Sequence, residues 1–315
     1  MIDVIIPVYN SRKTLKNALC SIVAQTILKE LNIYIIDDYS SESYEDILEP
    51  FYKICNIIYI KLDENKGPAF ARQVGINSSN SEYITFIDSD DIYLVNYFLE
   101  ENKSVLDSNK DIYVTVSGFY EELDGKNKWK EIKKEFVHIF AKIFRRDFIV
   151  KNNIVFPNFR KNEDVGFCTL VLAYLNKNNV FHDDNCVYLW KKNKDSITRK
   201  MDKTMYFGDN YITWAENKIW AFERKDVPQT FIDEHSLMCL FTSYYFYNNI
   251  IDYSAGTEKQ VIQSFRKLYK KYAKKSLLRA SEDLKGKIFY KSVSDISYIK
   301  VPSISFNEYI KRLDK

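Results

Sequence analysis

The chain has 315 residues, of which 46% are hydrophobic and 16% aromatic, with 24 Tyr and 21 Phe. That composition excludes a disordered or fibrous protein and suffices for one large domain, or for a catalytic domain of about 200 residues with a smaller companion. Lys and Arg number 46 against 43 Asp and Glu, a net charge of +3, which excludes a dedicated nucleic-acid binder.

The first 120 or so residues alternate short runs rich in Ile, Val and Tyr with longer amphipathic segments, the pattern of a mostly parallel sheet flanked by helices. Strands are expected at Asp3 to Val8, Asn32 to Asp37, Ile57 to Leu62, Tyr83 to Asp88 and Ile112 to Ser117. Between them, Arg12 to Ile27 lines up Leu15, Leu19, Ile22 and Val23 on one helical stripe, and Ser43 to Cys55 does so with Ile47, Leu48, Phe51 and Ile54. Gly67-Pro68 suits the start of a third helix, because Pro at the first position lacks only an N–H that would have no partner. After the polar stretch Asp124 to Lys134, Phe136 to Arg145 reads as a buried strand leading into a helix. From Lys200 onward the chain reads as mainly helical, with aromatic-rich segments at Tyr206 to Phe222 and Phe231 to Ile251. The expected organisation is a catalytic domain over 1–200 and a helical region over 201–315 that binds acceptor, contacts membrane or mediates oligomerisation.

Five cysteines (Cys20, Cys55, Cys168, Cys186, Cys239), odd in number and without a Cys-x-x-Cys pair, fit a reducing compartment without structural zinc. The apolar run at the N-terminus is broken by Asp3 and Pro7, too early for a signal peptide, and no stretch of about 18 uninterrupted apolar residues follows. A cytoplasmic location is expected.

Candidate chemistry gathers at strand ends. Asp88-Ser89-Asp90-Asp91 follows the most strand-like run in the chain, and in an open α/β sheet this is the edge where ligands bind. Carboxylates so closely spaced repel unless a divalent cation joins them, and oxygen donors suit Mg²⁺ or Mn²⁺. An isolated Asp-x-Asp is more often a solvated turn with a helix cap. A second acidic pair, Asp37-Asp38, ends another strand at the same edge. Pro7-Val8-Tyr9-Asn10 ends the first strand and Asn65-Lys66-Gly67 with Arg72 follows the third; Tyr9 can lie flat against a base, and Arg72 can meet a diphosphate or lock a carboxylate.

Five motifs in this order, Pro7-Val8-Tyr9-Asn10, Asp37-Asp38-x-Ser40, Asn65-x-Gly67 with Ala71-Arg72, Asp88-x-Asp90-Asp91 and Asn162-Glu163-Asp164, resemble the family-2 glycosyltransferases of the GT-A fold, an inverting family of bacterial polysaccharide and wall-polymer synthesis. The resemblance covers roughly residues 1–200. It implies that Tyr9 and Asp38 hold a nucleobase, most often uracil, within a pocket shared with Pro7, Val8, Asn10, Asn65, Gly67, Arg72 and Ser89. It implies further that Asp90 ligates the metal, that Asp88 contacts the ribose or the metal's water shell, and that Asp91 supports the turn. Asp164 becomes the base that takes the acceptor proton, with Glu163 orienting acceptor or donor sugar.

Val187 to Thr198 resembles a further family stretch in which arginine is usual; here Lys191 and Lys192 stand instead and would supply point charges to the diphosphate. A strand with a solvated basic turn accounts for it equally well. His182, next to Asp183 and Asp184, is a candidate to complete the metal shell, against an ordinary surface turn. Phe265 to Leu278 is a basic amphipathic segment that could rest on an anionic membrane or meet a phosphate-rich acceptor; a helix packed on its own core with a solvated lysine face is the plainer account.

The expected function is transfer of a sugar from a nucleotide-diphosphate donor, a UDP-sugar by the resemblance, to a hydroxyl of a glycan, lipid-linked glycan or wall polymer. The alternative is a noncatalytic sugar-nucleotide or glycan-binding protein on the same fold, against which the intact Asp88, Asp90 and Asp164 argue. A dinucleotide-dependent oxidoreductase is excluded, since no Gly-x-Gly-x-x-Gly follows the first strand.

Overall fold

Ile2–Val8 forms strand β1, and its near-continuous apolar run is what a strand covered on both faces requires. Helix α1 (Leu15–Val23) packs Leu15, Ala18, Leu19 and Ile22 into the core, and β2 (Leu31–Asp37), α2 (Glu45–Tyr52), β3 (Asn56–Lys61), α3 (Pro68–Ser78) and β4 (Tyr83–Phe86) follow. β1 pairs parallel with both β2 and β4, and β2 pairs parallel with β3. Gly75 lets α3 lie close on β1: a Cβ there would stand 2.4 Å from Ile5 Cγ2.

The second half of the sheet is mixed. β5 (Ile92–Tyr93), α4 (Phe98–Ser108), β6 (Val114–Glu122), β7 (Trp129–Ile132), β8 (Lys142–Arg145), α5 (Arg146–Lys151), α6 (Glu163–Ala173) and β9 (Val180–Trp190) complete a nine-stranded sheet in the order β3-β2-β1-β4-β8-β6-β9-β5, with β7 on β6. β8 runs antiparallel to β4 and β6, which brings β6 and β9 into the same sheet as the parallel half.

The structure, a computed structural model, describes residues 1–123, 128–193, 203–250, 255–294 and 304–315. The chain divides into two units, Met1–Ser196 and Ile197–Lys315. The second contains α7 (Lys203–Phe222), α8 (Gln229–Ile250), α9 (Ala255–Leu268), a π turn (Tyr269–Ala273), α10 (Lys274–Arg279), α11 (Glu282–Ser294) and α12 (Phe306–Asp314). Phe265, Leu268, Tyr269 and Ala273 are buried inside this unit, Lys271 pairs with Glu223, and Lys274 pairs with Asp314 at 2.6 Å. The apolar face of the basic segment is therefore used internally from Phe265 to Ala273, while Leu278 at its end is exposed. Among the described residues, no helix is long and apolar enough to cross a membrane.

Several elements differ from expectation: β6 runs on to Glu122, past the strand end expected at Ser117, and β7 lies in the stretch read as polar. The strand expected over Tyr83 to Asp88 stops at Phe86, which leaves the acidic residues in a turn closed by Asp91 N–H donating to Asp88 C=O at 3.1 Å. Of Phe136 to Arg145, only Lys142–Arg145 is strand. Glu135 ties down the N–H groups of Val137 and His138, and Lys134 and Ala141 sit at φ 57° and 54°, so the extended conformation is broken at both ends of the loop.

Candidate active site

The loops that follow β1, β2 and β3 are stitched together by hydrogen bonds. Asp38 N–H donates to Val8 C=O at 2.8 Å, Asn10 N–H donates to Ser40 Oγ at 2.9 Å, and Ser41 N–H returns a bond to Asn10 Oδ1 at 3.0 Å. Asp37 anchors its own turn, accepting from Ser40 N–H at 2.8 Å and from the Tyr59 hydroxyl at 2.6 Å. Asp38 accepts Lys66 N–H and Gly67 N–H at 2.8 Å each, while Asn65 Nδ2 donates to Asp38 C=O at 3.2 Å. Gly67 holds φ 91°, a conformation that a side chain disfavours and that aims its N–H at Asp38. Burial pushes the Asp38 carboxyl above its ordinary range, against those N–H groups. Tyr9 stands beside this junction with its ring half exposed.

The acidic turn is braced from three sides. Ser89 Oγ donates to Ser11 Oγ at 2.8 Å, which joins the turn to the β1 loop. Asp91, 1% exposed, accepts from the Tyr188 hydroxyl at 2.6 Å and from Lys191 N–H at 2.8 Å, and the Tyr188 oxygen accepts Asp88 N–H at 3.2 Å. Asn193 Nδ2 donates to Asp90 Oδ2 at 3.0 Å. Burial, then repulsion from Asp90 and Asp88, drives the Asp91 carboxyl well above its usual range. With Asp91 committed to Tyr188 and Lys191, Asp88 and Asp90 are the oxygen donors of the turn that would suit a hard divalent cation.

Arg72 connects this turn to the opposite wall. It is 5% exposed, and its guanidinium meets Asp88 at 2.5 Å with one terminal nitrogen and Glu163 at 2.5 Å with the other. Burial opposes the charge, but Asp88, Glu163 and Asp164 more than offset it, so the guanidinium stays protonated. Of the two roles open to Arg72 in the sequence, locking carboxylates is the one its nitrogens perform.

Glu163 and Asp164 open α6, with Asn162 before them at φ 55°. Asp164 is half-buried, accepts Val165 N–H at 2.9 Å, and has its carboxyl pushed up to about 6 by burial and by Glu163, with His138 and Arg72 acting the other way. A carboxyl tuned to this range is suited to proton transfer near neutral pH.

His182 is not brought to the acidic turn. It pairs with Val116 on β6, whereas Trp190, next to the Lys191 N–H that Asp91 holds, pairs with Glu121, roughly 17 Å further along the strand at the usual rise per residue. Burial and the charges of Lys134 and Lys142 depress its ring pKa, and Asp184 is its acidic neighbour. Lys191 and Lys192 follow β9 directly, and their main-chain N–H groups are committed to Asp91 and to Glu122 (2.9 Å). Asp195, Ser196, Ile197 and Thr198 of that stretch lie outside the described residues. His138 escaped the sequence reading, and Tyr188 and Asn193 entered it only as members of the Val187 to Thr198 stretch, with no role of their own. Tyr188 left a signal, an aromatic at alternating positions with Trp190, which marks a strand face but not a hydroxyl aimed at a carboxylate.

Comparison with known proteins bears on the family and the fold. The family model described as "Glycosyl transferase family 2" matches residues 3–178. Glycosyltransferase GlyG of Streptococcus pneumoniae serotype 4 is 25% identical over 251 residues, covering 71% of this chain and 79% of that protein. The poly(ribitol-phosphate) beta-glucosyltransferase of Bacillus spizizenii is 28% identical over 259 residues, covering 78% of this chain but 40% of that protein. Staphylococcus aureus TarS 1-349, solved in complex with UDP-GlcNAc, superposes with a TM-score of 0.72 at 19% identity over 94% of this chain and 88% of that one, a likeness of fold that bears out the expected GT-A architecture with its helical region. With motifs, fold and a family match across more than half of the sequence in agreement, the chain belongs to glycosyl transferase family 2 and is a glycosyltransferase.

Proposed function

We propose that this glycosyltransferase moves a sugar from a UDP-sugar to a hydroxyl of a glycan or wall-polymer acceptor in one inverting displacement. The observation that carries the reading is the Arg72 bridge, because it ties the acidic turn after β4 to the start of α6. The Asp38, Asn65 and Gly67 junction, with Tyr9 beside it, receives the base. Asp90, with Asp88, would hold Mn²⁺ or Mg²⁺, and a cation bound there supplies Lewis-acid neutralisation of the departing diphosphate. Asp164 takes the acceptor proton. The acceptor oxygen bonds to the anomeric carbon as the carbon–phosphate oxygen bond breaks, and that bond's electron pair leaves on the diphosphate. Glu163, occupied by Arg72, orients the site around it. The named activities of the Bacillus and Staphylococcus relatives favour a phosphate-rich wall polymer as acceptor and a hexose or N-acetylhexosamine as the sugar.

The test is UDP binding by calorimetry in Mn²⁺ and in EDTA. Binding is expected to tighten with Mn²⁺, and Asp90→Ala is expected to remove the difference; equal affinity in the two buffers would take the cation out of the reading. Incubation with a panel of UDP-sugars, read as slow donor hydrolysis, identifies the donor.

A further inference from the structure

The loop between β7 and β8 holds a charged cluster that the reading above does not use. Glu135 accepts the N–H groups of Val137 and His138 and meets the His138 ring Nδ1 at 3.2 Å, with Lys142 Nζ at 3.9 Å. Lys142 is almost fully buried and donates to His138 C=O at 2.8 Å. The imidazole is boxed by rings: Phe140 stacks on it at 5.1 Å between centroids, Trp190 lies at 5.1 Å and Phe119 at 5.4 Å. Phe140 in turn stacks flat on Tyr188 at 4.4 Å, and Tyr188 holds Asp91. On the other side, Cys168 Sγ donates to His138 C=O at 3.6 Å. Cys168 lies four residues after Asp164 on α6, and positions i and i+4 share a helix face, so the loop is pinned to the face that carries the candidate base.

We propose that His138, held by Glu135 in the loop that Cys168 pins to α6, is a positioning residue for the Asp164 carboxylate. The groups packed against it are Glu135 on its own loop and Lys142 on β8, with uncharged rings from β6 and β9, and the Asp164 carboxylate on α6 is close enough for its charge to act on the ring. Burial and Lys142 work against the imidazolium, Glu135 and Asp164 favour it, and the balance raises its pKa. Glu135, despite its burial, is drawn down to about 2 by His138, Lys142 and the loop N–H. A positive ring near Asp164 favours its ionised form, the form that can accept a proton. As pH falls, Asp164 is thus kept ionised further into the acid range than it would be beside a neutral side chain.

The inference rests on Asp164 as the base, and the experiment separates the two. The chain has three histidines, so ring titrations by ¹H–¹⁵N NMR on the intact protein are assignable with His138→Gln as reference. His138 is expected to titrate above 6.5, and its midpoint is expected to fall in Asp164→Asn, since coupling between two sites is mutual. A midpoint that ignores Asp164→Asn overturns the proposal. In the UDP-sugar hydrolysis assay, His138→Gln and Glu135→Gln are expected to lose about threefold to tenfold at pH 5.5 while staying within about twofold of wild type at pH 8, a shift of up to one unit in the acid limb. An equal loss at both pH values would mean a merely structural loop. Retained activity in Asp164→Asn would instead sink the base assignment.

Discussion

In the proposed reading Asp164 is the base and Arg72 braces the site, and their environments define what each should do when changed. The carboxyl of Asp164 sits at about 6, and a base works only when ionised, so kcat/KM is expected to rise with pH through about 6 and then level off. Asp164→Asn is expected to lower transfer by about 10²-fold to 10⁴-fold with UDP affinity kept; near wild-type transfer would require a different base. Arg72→Ala leaves Asp88 and Glu163 facing each other without a cation in a buried setting. Breaking such a pair typically costs about 3–5 kcal/mol, which denaturant unfolding would register, and Arg72→Lys should recover little because one ammonium cannot span two carboxylates as a fork does. These residues stand out in the sequence as types and spacings. That Arg72 would face carboxylates rather than phosphate was not readable there, because its partners lie 16 and 91 positions away and depend on how α3, β4 and α6 pack.

At the scale of elements, the turns matter more than the strands they join. Gly67 caps α3 at φ 91° while giving its N–H to Asp38, so Gly67→Ala is expected to cost about 1–3 kcal/mol in stability and to weaken UDP binding together; unchanged affinity by calorimetry would detach this turn from the donor site. Gly75→Ala tests packing alone: its methyl would collide with Ile5, and overpacking of this kind costs about 1–3 kcal/mol, read as a lowered Tm, with UDP affinity per folded molecule kept. The alternating and helical periodicities made β1, β2, α1 and α2 legible, since their apolar positions repeat at the period of the element. The loop before β8 defeated the same logic. Phe136, Val137, Ile139 and Phe140 look like strand, but the Glu135 carboxylate competes for the backbone donors that a strand would offer to its neighbours.

On the scale of the whole molecule, the basic segment from Phe265 to Leu278 shows how burial reassigns a pattern. Phe265, Leu268, Tyr269 and Ala273 are spent inside the helical unit, which leaves Leu278 and the lysines outward. Vesicles of anionic phospholipid are accordingly expected to sediment without the protein at physiological ionic strength; salt-resistant co-sedimentation would demand a larger apolar surface than the exposed Leu278 of this segment. The order of short motifs at strand ends, the apolar periodicity of the α/β half and the close spacing of Asp88, Asp90 and Asp91 were properties of the chain by itself, because local composition and spacing decide them. Which acids share a crevice was decided only by tertiary structure. β8 returns antiparallel between β4 and β6, so β9 carries Tyr188 to the acidic turn and leaves His182 behind, and no local pattern encodes which way a distant strand will run.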